Sequence, residues 1–265
     1  MTSEYPGLLY EKRGAVAILT FNRPAAGNAI DLEMGRALME RAIECDMDDS
    51  VRAVLLRSDG KLFCAGGDVA AFAGEGDRIS SFIMEETAYV HSAIARLARM
   101  EKPLVVAVQG FAAGAGFSFA ILGDIVLAGR AAQFTAAYTG IGVTPDGGMT
   151  WMLPRLVGLR KAQEMILLNT RITADEALAL GMVTRVVEDE ALQEEAFKVA
   201  EQLAAGPTVA YSRVRALLLS SFDQSLETQM ERESRAISIS AGEPDGKEGI
   251  AAFAARRAPQ FAGRL

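Results

Sequence analysis

Two short apolar runs in this chain, Val51 to Arg57 and Leu104 to Val108, each lead into a glycine-rich turn and then into a stretch with helical character. The first turn is Leu62-Phe63-Cys64-Ala65-Gly66-Gly67-Asp68, and the second is Gln109-Gly110-Phe111-Ala112-Ala113-Gly114-Ala115-Gly116. Buried strands that pass through small residues into helices point to an α/β architecture. They also leave backbone N–H groups without partners at the turns. Two such turns side by side can aim two N–H groups at one oxygen, which makes an oxyanion hole. A third turn, Thr144-Pro145-Asp146-Gly147-Gly148, would bring a carboxylate near that hole. Its apolar neighbours Val143, Met149 and Trp151 would strengthen Asp146 as a base by withdrawing it from water.

Around these turns, Leu8 to Lys12 and Val16 to Phe21 flank Arg13-Gly14 and read as a hairpin. Asp31 can cap a helix running to about Asp48, with Leu32, Leu38, Ala42 and Ile43 near one face. A long helix is expected over Arg78 to Met100, a helix through Leu122 after the second turn, and a strand over Ile125 to Ala128. Thr173-Ala174-Asp175-Glu176 has the capping-box pattern, Gly181 ends that short helix, and Val183 to Val187 forms a last strand. From Asp189 onward strand signals almost vanish. Three or four helices are expected there, with breaks near Gly206-Pro207 and Gly242-Glu243-Pro244.

Half of the 265 residues are apolar, enough for one sizeable core, alone or with a small appendage. A net charge of −7 argues against a nucleic-acid surface, which needs clustered cations. Cys45 and Cys64 are too few for a disulfide framework and lack metal-site spacing, and His91 is the single histidine, so no metal is expected. A reducing, cytoplasmic setting is the simplest reading. The first residues, with Glu4 and Glu11, lack the apolar segment of a secretory signal. Pro103 to Gly123 is free of charge over a length that could span a bilayer, but Gln109-Gly110 interrupts it. It reads as a buried strand, a turn and a buried helix, with no membrane contact. Gly114-Ala115-Gly116 lacks the third glycine of a dinucleotide fingerprint, and no phosphate-loop motif occurs. Gly116-Phe117-Ser118-Phe119-Ala120 falls short of a serine-hydrolase elbow, and the only histidine lies upstream of Ser118, against that family's order. Ser118 therefore reads as a small residue on a packed helix.

Taken in order, Asn22-Arg23-Pro24 with Asn28-Ala29, the Phe63 to Asp68 turn, Lys102-Pro103 through Gly116, Gly123-Asp124-Ile125, Ala174 to Val187 and Glu248-Gly249 through Phe261 resemble the crotonase superfamily, also called the enoyl-CoA hydratase/isomerase family. The resemblance covers nearly the whole chain. It implies a spiral of ββα units over residues 1–200 that carries an acyl-CoA site, and a helical oligomerisation region over residues 201–265. It also implies acyl-CoA thioester substrates, no cofactor beyond the coenzyme A of the substrate, and a homotrimer or hexamer. By the same resemblance the oxyanion donors are the backbone N–H groups of Gly67 and Ala115.

The departures from the pattern bear on the chemistry. Hydratases of this family carry two glutamates where this chain has Ser118 and Tyr138, and glycine where it has Asp146. Members with aspartate at that position are the enoyl-CoA and epoxyphenylacetyl-CoA isomerases and the 4-chlorobenzoyl-CoA dehalogenases. The favoured expectation is an isomerase that shifts a double bond, or opens a ring epoxide, with Asp146 as acid and base. The alternative is a dehalogenase or thioester hydrolase with Asp146 as nucleophile and His91 activating water; behind these stand a hydratase and an inactive CoA-binding scaffold. The resemblance sets the coenzyme near Arg23, Ala25 and the Ala65-Gly66-Gly67-Asp68-Val69 turn, with Gly114 and Ala115 alongside, and leaves Arg256 and Arg257 to reach phosphates. Val209, Val214, Leu217, Leu218, Leu219, Ile237 and Ile239 are more apolar residues than surface helices need, and the tail is expected to close over a neighbour's groove.

Overall fold

A computed structural model describes residues 5–263. The outermost ends of the two expected regions, residues 1–4 and 264–265, lie outside the described residues. The order is β1 (Leu8–Arg13), β2 (Val16–Phe21), α1 (Leu32–Met47), β3 (Ala53–Ser58), α2 (Val69–Gly74), α3 (Ile79–Arg99), β4 (Leu104–Val108), β5 (Phe111–Ala113), α4 (Ala115–Ala120), β6 (Ile125–Gly129) and β7 (Gln133–Thr135). It continues with α5 (Met149–Val157), α6 (Leu159–Leu167), β8 (Ile172–Thr173), α7 (Ala174–Ala179), β9 (Arg185–Val187), α8 (Leu192–Ala204), α9 (Thr208–Ser220), α10 (Leu226–Gly242) and α11 (Pro244–Ala254).

The larger sheet runs β1-β2-β3-β4-β6-β9, parallel throughout except for the β1–β2 hairpin. Its central strands are buried on both faces, as near-continuous Val, Leu and Ala runs require. Alternation divides them. Ala17, Leu19, Val54, Leu56, Val106 and Val108 join the core shared with α1 and α3. Ile18, Leu55, Val105, Ala107 and Leu127 pack instead against Ala196, Val199 and Ala200 of α8. A second, small sheet, β5-β7-β8, lies outside this layer.

Asp31 caps α1 by accepting from the Met34 N–H at 2.8 Å. The far end of α1 is closed by Lys102, which is fully buried and donates to the carbonyls of Cys45, Asp46 and Asp48 at 2.8, 2.6 and 3.0 Å. Thr173 and Glu176 form the expected capping box on α7. The breaks after α8 and α10 fall at Gly206-Pro207 and at Glu243. Among the described residues no helix is long and apolar enough to cross a membrane.

Four details differ from the sequence reading. The core face of α1 is Met34, Ala37, Leu38, Ala42 and Cys45, while Ile43 is exposed and Leu32 half-buried. The sequence assigns no element between Ala128 and Thr173, where the structure has β7, α5, α6 and β8. Pro154 and Gly158 interrupt the periodicity of the two helices, and the strands are three and two residues long. The helix after the second turn ends at Ala120 rather than Leu122. Finally, residue 200 falls inside α8, which packs on the sheet, so the helices that stand off the core begin at Thr208.

Candidate active site

The two glycine-rich turns lie against each other. Cys64 and Ala112 form a parallel bridge in which the Cys64 N–H donates to Phe111 O at 3.1 Å and the Ala113 N–H donates to Cys64 O at 2.9 Å. The contact depends on Gly116, where a Cβ would stand 2.3 Å from the Cys64 carbonyl oxygen. Each turn then opens a helix: Asp68 caps α2 by accepting from the Ala71 N–H, and Ala115 is the first residue of α4. A first-turn N–H has no partner within its own helix. Among the described residues neither Gly67 nor Ala115 gives its N–H to a turn or loop carbonyl. The two amides named as oxyanion donors therefore come from adjoining turns and are both uncommitted.

Asp146 reaches this place through three contacts. The Tyr138 hydroxyl donates to its Oδ1 at 2.6 Å, and the Tyr138 ring rests 3.9 Å from where a Cβ on Gly114 would stand. His91 of α3 places Nε2 at 3.0 Å from Oδ2. The Ser118 hydroxyl, buried on α4, donates to the Asp146 carbonyl at 3.0 Å. Gly147 follows at φ +60°, and a Cβ there would sit 2.9 Å from that of Ser118, so the turn presses on α4 only because the residue is glycine. The expected apolar enclosure is absent, since Val143 and Trp151 are exposed and only Met149 is buried. The carboxylate is instead held by the Tyr138 hydroxyl and, when Nε2 carries a proton, by His91.

Those donors are themselves biased by the site. Burial, then the Asp146 charge and hydrogen bond, push the Tyr138 hydroxyl far above its ordinary range, so it remains a donor. The Asp146 hydrogen bond raises His91 against the opposing effect of burial. The Gly147 N–H also points at His91 Nε2, at 3.2 Å. One ring nitrogen cannot donate and accept at once, so a protonated Nε2 serves Asp146 and a bare one serves Gly147.

The residues assigned to coenzyme binding divide. Ala25 is exposed beside the first turn, whose Ala65 N–H donates to Gly27 O at 2.9 Å, and Val69 is exposed at the start of α2. Arg23 is committed within the protein: its Nη2 stands 3.1 Å from both Asp31 and Asp68, so it locks α1 to the first turn. Arg257 forms a two-pronged pair with Glu248 of α11 at 2.6 and 2.8 Å, and Arg256 lies in the same tail. That tail turns back on its own chain, where Asp245 accepts from the N–H groups of Ala262 and Gly263. Among the described residues no group of three His, Cys, Asp or Glu side chains could hold a metal. Ser118 is the residue whose part the sequence reading understated.

A second carboxyl, Glu86 of α3, went unnoticed in the sequence. It is 5% exposed, its Oε1 has no hydrogen-bond partner, and burial followed by the charges of Asp146, Asp31 and Asp68 raises it to about 7. A signal existed, for Glu86 shares the helical stripe of Val90, Ala93, Ile94 and Leu97.

The model for the enoyl-CoA hydratase/isomerase family matches residues 11–264. The chain belongs to that family, within the crotonase superfamily. It is 36% identical over 256 residues to a 1,2-epoxyphenylacetyl-CoA isomerase of Escherichia coli, covering 94% of this chain and 95% of that one. It is 33% identical to 4-chlorobenzoyl coenzyme A dehalogenase-2 of an Arthrobacter, covering 92% and 88%. The crystal structure of an enoyl-CoA hydratase from Polaromonas superposes with a TM-score of 0.92 at 30% identity, covering 96% and 99%. The fold is thus the crotonase fold with its helical C-terminal region, and the chemistry is an acyl-CoA reaction of this family.

Proposed function

We propose that the protein is an acyl-CoA isomerase that moves a double bond by way of a thioester enolate. The observation that carries this reading is the placement of Asp146. Its carboxylate is bonded to Tyr138 and its carbonyl to Ser118, the two residues that stand where a hydratase would carry glutamates. One aspartate is thus tied to both positions, by its carboxylate to Tyr138 and by its backbone to Ser118. Asp146 takes the α-proton of a 3-enoyl thioester, breaking the C–H bond and leaving its electron pair in the enolate. The N–H groups of Gly67 and Ala115 hold the enolate oxygen, each worth roughly 3 kcal/mol in the transition state. The protonated carboxyl, which exchanges its proton with solvent in part of the turnovers, then delivers a proton to the γ-carbon. Asp146→Asn is expected to lower turnover of a 3-enoyl-CoA about a thousandfold, within the range for a positioned acid–base group. In deuterated water the wild type should place label at the α- and γ-carbons. Full turnover by the variant would rule the assignment out.

The 3.0 Å contact of His91 with Asp146 favours a second reading. Here Asp146 attacks an acyl carbon, expelling the coenzyme A thiolate, or an aromatic carbon, expelling halide, and His91 activates the water that cleaves the resulting anhydride or ester at the Asp146 carbonyl carbon. This reading requires oxygen-18 from solvent to enter the Asp146 carboxylate in a single turnover, whereas the isomerase leaves it unlabelled. Assembly as a homotrimer or hexamer is part of the proposal.

A further inference from the structure

We infer that Glu86 is a specificity residue of the acyl pocket, whose carboxyl hydrogen-bonds an oxygen carried on the acyl group. The inference rests on the acyl-CoA reading above and adds a substrate class to it. A carboxyl that is nineteen-twentieths buried with an unpartnered oxygen costs stability, and nothing in the fold repays it. It sits on the inward stripe of α3, where Val90, Ala93, Ile94 and Leu97 show that an apolar side chain would serve the core. No cation of the described residues forms an ion pair with it, and Arg23 is divided between Asp31 and Asp68.

The charges that act on Glu86 come from Asp146, Asp31 and Asp68. These residues belong to the acidic turn, the cap of α1 and the cap of α2, the segments that border the two oxyanion amides. Geometry agrees: Ile94, two turns further along the same buried stripe of α3, packs on the acidic turn, where a Cβ on Gly147 would stand 3.1 Å from its Cδ1. Burial and those three carboxylates keep a large share of it protonated near neutral pH, so it can both donate through O–H and accept through C=O. A plain hydrocarbon chain leaves this group unpaired. An acyl chain bearing a hydroxyl, carbonyl or ether oxygen satisfies it, and a site built around such a bond rejects the analogue that lacks the oxygen.

The test uses saturated thioesters, which cannot isomerise, so that binding is read apart from turnover. Hexanoyl-CoA is titrated calorimetrically against its 3-hydroxy, 4-hydroxy and 6-hydroxy derivatives. The wild type is expected to bind at least one hydroxylated thioester about tenfold more tightly than hexanoyl-CoA. Glu86→Leu should abolish that preference while binding hexanoyl-CoA at least as well as wild type, and Glu86→Gln should keep part of it. A wild type without preference, a preference that survives Glu86→Leu, or an equal loss of all four ligands in both variants would overturn the inference while leaving the acyl-CoA reading in place. Failure of the wild type to bind any CoA thioester would remove both.

Discussion

Glu86 also makes a prediction about stability, because its carboxyl titrates differently in the folded and unfolded chain. Its ordinary value is 4.5 and the fold raises it to about 7. Between those values the folded state holds the extra proton, so stability falls as pH rises through this window and the full penalty is present above it. Glu86→Gln removes the titration without changing the shape. It should stabilise the protein by roughly 2 kcal/mol at pH 8, with the gain fading toward pH 4.5. Urea denaturation at a series of pH values reads the difference directly. A constant gap between the two proteins would show that the raised acid is not the cause. At this scale the sequence reveals what is local. Asp146, His91, Tyr138 and the two glycine turns are visible as residue types in a pattern, but the contacts among them are not. His91 and Asp146 are separated by 55 positions and meet at 3.0 Å only because α3 crosses behind the acidic turn. Arg23 is a further case: the resemblance sets it near the coenzyme, and only the fold reveals that Asp31 and Asp68 pair with it.

The elements were legible where a periodic pattern ran long enough between clear caps. Asp31, the Thr173–Glu176 box and the Gly206-Pro207 break lie where the sequence puts them because each acts through neighbours in the chain. The short strands β5, β7 and β8 have too few residues to show alternation, and only pairing across the small sheet defines them. The end of α1 was illegible for a different reason. It carries no basic residue in its last turn, and its carbonyls are satisfied by Lys102 from 54 to 57 positions away. Burial lowers the Lys102 ammonium, opposed by Asp46 and its neighbours. Three charge-assisted bonds still tie α1 to the start of β4. Lys102→Met keeps the apolar stem and strands these carbonyls, which should cost about 3 kcal/mol in chemical denaturation. The Arg96–Asp46 pair nearby involves a half-exposed arginine at 2.9 Å, so Arg96→Met should change stability by under about 1 kcal/mol. Equal losses in the two variants would contradict the capping argument.

For the whole molecule, the core below Ala204 and the helices beyond Thr208 follow different rules. Helix α8 buries Leu192, Ala196, Val199, Ala200 and Ala204 against the sheet, whereas α9 buries only Thr208 and α10 buries nothing. Yet these later helices are well anchored. Arg215 of α9 donates to the Leu97 carbonyl at 2.8 Å and pairs with Asp124 at 2.8 Å, so α9 is held across the end of α3. Leu218, Phe222, Leu226, Met230, Ile237, Ile239, Ile250 and Phe253 remain exposed, Phe253 at 88%. Single exposed apolar residues are ordinary, but this many on consecutive helices form a surface that water solvates poorly and a second copy can cover. Wedged between copies, such a face gains about 25 cal/mol for each Å² of apolar area withdrawn from water. In the proposed homotrimer, alone or doubled into a hexamer, faces of this kind would meet those of neighbouring copies in a closed ring. Light scattering should therefore give three or six chain masses at micromolar concentration. Leu218→Glu combined with Ile237→Glu should shift the mass toward one chain and lower the melting temperature, because burial of these faces is part of what holds the folded chain together. A wild type that scatters as a monomer with full activity would show that these helices end in solvent, and the assembly argument would fail with them.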